Sequence, residues 1–268
     1  MPTIAQIIDV IEDFAHLSWQ ESYDNTGWQT MLPGQANTPC SGVLLCIDAT
    51  PEIVNEAVSK GCNLIITHHP LLFKATKRLT GVNRTDLTAI ASIRSGVAIY
   101  SSHTSLDSAP GGISWYFAEK LGLEDVHTLD HSSDEIGRGE VGLGVIGNLP
   151  SPVESLDFIS MVKKESGAQV ARCSGISNDR IIRRVAICGG SGGEYIPLAA
   201  DKGADVIVTA DVKHNQFLDY AHSIMTIDLG HYETEYCAKE IFYGLIHKKF
   251  PNFALYCSET EKNPITYL

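Results

Sequence analysis

The chain has 268 residues, of which 44 % are hydrophobic and 19 % charged, and carries a formal net charge of −12. That length can bury a substantial core as one large domain or two small ones, and the composition is ordinary for a globular protein. An acidic chain without a Lys/Arg run lacks the clustered cations that phosphate backbones require, which disfavours nucleic acid as a partner.

In chain order, Ile4, Ile7, Ile8, Ile11 and Phe14 recur at helical spacing, predicting an amphipathic helix over 4–17. This start is acidic and amphipathic, unlike a secretory signal. No window approaches 18 consecutive apolar residues, so no membrane partner and a cytoplasmic location are expected. Residues 19–34 are turn-rich and read as a loop. "GVLLCID" (42–48) is a continuous apolar run, as in a strand buried on both faces. Thr50 and Pro51 can cap and open a helix that Gly61 ends. "NLIIT" (63–67) follows as a second strand, completing a strand–helix–strand unit and predicting a parallel sheet.

"GVAIYSS" (96–102) is another strand, and Gly111–Gly112 precede a helix to about residue 121. Residues 127–140 are polar and read as turns, and 141–147 as a strand. A helix over 154–166 is followed by a strand at 185–190, a helix at 194–203, and strands at 204–211 and 224–229. A last helix is expected over 232–249 and a short strand near 254–257. Seven singly spaced cysteines with no C-x-x-C pair read as reduced, buried thiols.

Residues 43–69 align without a gap on 185–211, with Val43/Val185, Cys46/Cys188, Lys60/Lys202, Gly61/Gly203, Ile65/Ile207 and Thr67/Thr209 identical. "VAIYSSHTSLD" (97–107) likewise matches "MTIDLGHYETE" (225–235), which sets His103 opposite His231 and Asp107 opposite Glu235. The expectation is an α/β protein of two related lobes with mainly parallel sheets. The first lobe spans 1–124, with 239–268 packing back on it, and the second spans 125–238.

Three motifs carry chemistry. "THHP" puts His68 and His69 at a strand's carboxyl end, where ligands of parallel α/β sheets bind. "HTSLD" offers His103 and Asp107, and "GHYETE" offers His231 and Glu235, four apart on one helix face. Imidazoles and carboxylates without thiolates suit a catalytic divalent site of Zn, Mn or Fe type. Adjacent residues on an extended backbone project oppositely, so His68 and His69 are expected to reach two different ions bridged by a carboxylate, with open positions for water or hydroxide. Each motif alone is more often a turn or a solvated pair; their recurrence after three strands favours the metal reading. The other histidines (16, 127, 131, 214, 222 and 247) read as surface or capping residues. "CGGSGGEY" (188–195) is either a phosphate cradle or a tight connection. No P-loop or nucleophile-elbow motif is present.

Through "SYDNTGW", "DATPEIVNEAVSKGCNLIITHHPLLF", "YSSHTSLDSAPGG", "ADVIVTADVKHNQFLDYA", "IDLGHYETE" and "EKNPITYL", the chain resembles the NIF-three-like dinuclear metal-centre family, often called GTP cyclohydrolase I type 2. The resemblance covers nearly the whole chain. It implies a two-lobed protomer in a toroidal homohexamer. It places His68, Asp107 and Glu235 on one metal and His69, His231 and the same Glu235 on the other, with His103 beside them as a catalytic or substrate-contacting group. It implies a hydrolase acting on a small nucleotide-like substrate, with a metal-bound hydroxide attacking C8 of a purine and His103 moving a proton. A phosphoesterase, or a metal-binding or regulatory protein without catalysis, remains open at this point.

Overall fold

The computed structural model describes residues 1–131, 140–177 and 179–268. They form a mixed α/β fold with two sheets. The chain divides into two compact units, 1–106 with 238–264 and 107–237 with 265–268.

The first unit opens with helix α1 (Ile4–Phe14), where Thr3 and Gln6 form a reciprocal cap: the Gln6 amide donates to Thr3 Oγ1 and the Thr3 amide to Gln6 Oε1. Its sheet runs β1 (Gly27–Thr30), β4 (Ala98–Ser101), β3 (Leu64–Thr67), β2 (Val43–Cys46), β11 (Leu255–Cys257). β4, β3, β2 and β11 are parallel, and β1 pairs antiparallel on the edge. Every residue of β2, β3 and β4 is buried, as their unbroken apolar runs require. Helix α2 (Pro51–Ser59) starts on the Thr50 cap, and α3 (Arg84–Ser95) on Asn83. Leu44, Ile53, Ile65, Ala89 and Ile99 belong to one apolar core with them. Helix α10 (Ala238–Lys249) and β11 return the chain to this unit.

The second unit begins within the short helix α4 (Thr104–Ser108) and continues with α5 (Ile113–Lys120). Its sheet runs β5 (Glu124–His131), β6 (Gly142–Glu154), β8 (Ile181–Ser191), β9 (Val206–Ala210), β10 (Met225–Asp228), β7 (Arg172–Ser174). β8, β9 and β10 are parallel, whereas β5, β6 and β7 pair antiparallel. This sheet is therefore mixed rather than mainly parallel. Ten residues separate β5 from β6, fewer than the crossover of a dozen or more that a parallel pair requires, so the two run antiparallel. Helices α6 (Ser155–Ser166), α7 (Ile196–Asp201), α8 (His214–Tyr220) and α9 (His231–Glu235) complete it.

Several expected boundaries move. α5 belongs to the second unit rather than to a lobe ending at 124, because Phe117, Ala118 and Leu121 are buried with Val145, Val185 and Ile187. Residues 265–268 also join the second unit. Part of the expected turn region 127–140 is the end of β5, and its 132–139 stretch lies outside the described residues. The expected helix 232–249 is two helices, divided where the chain passes between units. α3 has no apolar stripe to betray it: its buried positions are Asp86, Thr88, Ala89 and Ser92. All seven cysteines are free, and Cys40, Cys46, Cys62 and Cys188 are buried. No helix among the described residues is long and apolar enough to cross a membrane.

Candidate metal centre

In the first unit the carboxyl ends of β2, β3 and β4 deliver Asp48, the His68–His69 pair and His103. The ring centroids lie 5.1 Å apart for His68–His69, 5.2 Å for His68–His103 and 5.6 Å for His69–His103. One ligand atom from each of the three falls within 4.8 Å of the others, so they form a group able to hold a metal ion. His68 and His69 thus share one side, not the opposite sides expected of an extended backbone. Both lie in a bend past the end of β3, where strand alternation no longer applies.

Each ring is oriented through Nδ1. His68 Nδ1 is 2.9 Å from the Ser102 carbonyl, His69 Nδ1 3.2 Å from Asp48 Oδ1, and His103 Nδ1 2.7 Å from Asp24 Oδ1. An oxygen acceptor at Nδ1 draws the ring proton there and makes Nε2 the lone-pair nitrogen, which is how metal-binding histidines are prepared. Asp24 is sealed from solvent and also accepts from the Asn25 amide, the Thr26 hydroxyl and both the amide and hydroxyl of Thr104. Burial alone would raise its pKa, but His103, Thr104 and the Asn25 amide outweigh burial and hold the carboxyl well below the usual carboxylate range. The Phe73 ring meets His103 edge-on, with centroids 5.9 Å apart.

In the second unit His231 opens α9 and Glu235 closes it, one turn apart, with His231 Nε2 2.9 Å from Glu235 Oε2. His231 Nδ1 is 2.7 Å from Asp211 Oδ2. Asp211 sits just past β9 with φ 55, the left-handed region that aspartate tolerates better than most residues. Glu235 is buried, 3 % exposed. The glycines at the carboxyl end of β8 make room for it. A Cβ on Gly190, whose φ is +62, would stand 2.0 Å from Glu235 Oε1, and the Gly190 amide donates to Thr234 Oγ1. A Cβ on Gly189 would strike Ile113 Cγ2 at 2.6 Å and one on Gly192 would strike Thr209 Oγ1 at 2.4 Å. Between the phosphate cradle and the tight connection, this packing favours the second: the glycines at the end of β8 seat Glu235. Asp107 is the first residue of this unit. Burial first, then the carboxylates of Asp107 and Glu235, push the Cys188 thiol far up, which leaves it inert.

Of the sequence candidates, the structure brings together His68, His69 and His103 in one unit and His231 with Glu235 in the other. The donor set, imidazoles with Nδ1 already committed and carboxylates without a thiolate, fits a divalent ion of Zn, Fe or Mn type. Sequence reasoning missed Asp24, Asp48 and Asp211, which orient three of the rings. A weak signal existed: Asp48 and Asp211 each follow a buried strand, and Asp24 lies in "SYDNTGW".

Known proteins agree with this architecture. The chain is 32 % identical over 231 residues to a protein of Clostridium perfringens (strain 13 / Type A) named GTP cyclohydrolase 1 type 2 homolog, covering 86 % of each chain. It is 33 % identical over 238 residues to the protein of that name from Lactococcus lactis subsp. lactis (strain IL1403), covering 86 % of this chain and 87 % of the relative. A Bacillus cereus protein described as related to NIF3 shares the fold with TM-score 0.91 at 23 % identity, over 100 % of this chain and 99 % of that one. A Staphylococcus aureus hypothetical protein superposes with TM-score 0.88 at 28 % identity, over 99 % of both chains. The profile of one family matches residues 2–264. The chain belongs to the Duf34/NIF3 (NGG1p interacting factor 3) family.

Proposed function

We propose that the chain is a dinuclear metal-dependent hydrolase acting on a nucleotide-like substrate, of the GTP cyclohydrolase type that its relatives' names carry. In this reading His68, His69, Asp107, His231 and Glu235 hold two divalent ions and His103 moves a proton. The observation that supports it most is the anchoring of all four imidazoles through Nδ1. Bound divalent ions would supply Lewis acidity and a nucleophilic water at neutral pH.

The chain's own residues have distinct tasks. The buried Asp24 carboxylate fixes the His103 ring through Nδ1, which leaves Nε2 to accept a proton and return it to a leaving group. Asp48 and Asp211 hold His69 and His231 in register. Glu235, kept from water against Gly190 at the end of β8, contributes anionic charge in a poorly screened setting. The same reading includes descent of the two units from one duplicated α/β lobe and assembly into a homohexamer.

The test is metal analysis of protein purified without oxygen, by anomalous scattering at the metal edges, with assays on GTP, other nucleotides and phosphoesters. Two ions per chain and nucleotide turnover are expected. Bound metal with no turnover across the panel refutes the hydrolase and leaves a metal-binding or regulatory protein. Turnover confined to phosphoesters replaces the cyclohydrolase chemistry with phosphoester cleavage.

A further inference from the structure

Glu261 lies far along the chain from the histidine motifs, yet its carboxylate, 4 % exposed, ends at the carboxyl end of β2. Oε1 accepts from two consecutive amides, Ile47 at 2.6 Å and Asp48 at 2.9 Å. Oε2 lies 2.6 Å from Lys239 Nζ of α10, itself 3 % exposed. The segment bearing Glu261 is tied down independently. The Ser258 amide extends the β11–β2 pairing to the Leu45 carbonyl, and Ser258 Oγ and the amides of Glu259 and Thr260 donate to Glu56 of α2. The Glu261 amide donates to Ser258 Oγ.

A buried ion pair is poor evidence of a stabilising role, because an apolar pair of similar volume often serves folding as well or better. What Glu261 supplies that an apolar residue cannot is an acceptor for the Ile47 and Asp48 amides. Asp48 is the residue whose Oδ1 faces His69 Nδ1 at 3.2 Å. We infer that Glu261 is a positioning residue of the metal centre: it fixes the backbone of Asp48 and, through that side chain, the ring of His69. The inference rests on the metal-centre reading above. It makes the C-terminal segment, with its Lys239 partner, part of the centre although it contributes no ligand.

The test uses Co²⁺ as the probe, titrated into the full chain and followed by its visible absorption, with circular dichroism and thermal melting as controls on folding. In K239M/E261Q the buried charges are gone but an amide oxygen can still accept from Ile47 and Asp48; in K239M/E261M that acceptor is lost. Co²⁺ affinity should stay within about threefold of wild type in the first and fall at least about tenfold in the second, with a shifted absorption band, as loss of an orienting partner does. If K239M/E261M does not fold, E261D, which keeps the charge and withdraws the oxygen by one methylene, carries the same expected loss. Equal affinity and an unmoved band in K239M/E261Q and the folded acceptor-shifted variant overturn the positioning role. A wild-type chain that binds no Co²⁺ overturns the metal-centre reading itself, a failure visible before any variant is compared.

Discussion

At the residue scale, the centre is legible as a set of ring orientations. Four imidazoles carry an oxygen at Nδ1, three of them supplied by carboxylates. The histidines stand out in the sequence because each follows a run that must be a strand. Their orienting aspartates do not, since aspartate after a strand is also an ordinary turn residue. The expectation that His68 and His69 diverge failed for a related reason: alternation is a property of extended backbone, and the chain bends there. The number of ions consequently rests on the proposed bridging by Glu235 and not on opposed histidines. Glu235→Gln keeps the shape and removes the charge that two cations would share. Metal analysis of that variant should find both ions lost or sharply weakened; two ions retained per chain would refute the bridge.

At the element scale, close packing at the carboxyl end of β8 places Glu235. Gly190→Ala would put a methyl into the space of Glu235 Oε1 and a side chain at φ +62, a backbone region costing an L-residue roughly 1–2 kcal/mol. The expected result is a lower melting temperature together with weaker metal binding, measured by calorimetry and Co²⁺ titration; unchanged metal affinity would show that Gly190 does not seat the carboxylate. The C-terminal segment depends on α2 in a pH-sensitive way. Burial opposes ionisation of Glu56, but the Glu259 amide, Ser258 hydroxyl and Thr260 outweigh it and hold its pKa below the ordinary 4.5. A carboxyl with a depressed folded pKa stabilises the native state above its unfolded pKa, and that contribution is lost as pH falls through the folded value. Denaturant unfolding should therefore show Glu56→Gln destabilised by about 1–2 kcal/mol at pH 7, with the difference from wild type shrinking below pH 4.5. A difference constant from pH 7 to pH 3 would refute the assignment. Strands β2, β3 and β4 were readable from unbroken apolar runs, whereas α3 was not, because it buries a face of small and polar residues.

At the scale of the whole molecule, the net charge of −12 still argues against a phosphate backbone as partner. The proposed hexamer predicts six chain masses by light scattering of the purified protein; a monomer or dimer at micromolar concentration would refute it. The buried parallel strands, the α/β class and the histidines that follow strands can be read from the amino-acid order, because apolar periodicity and local spacing are written in consecutive residues. Which carboxylate orients which ring, why the end of β8 needs its glycines, and how Glu261 reaches Ile47 and Asp48 emerge only once the chain is folded. Those are contacts between residues distant in the chain, and no local pattern encodes which pair will meet.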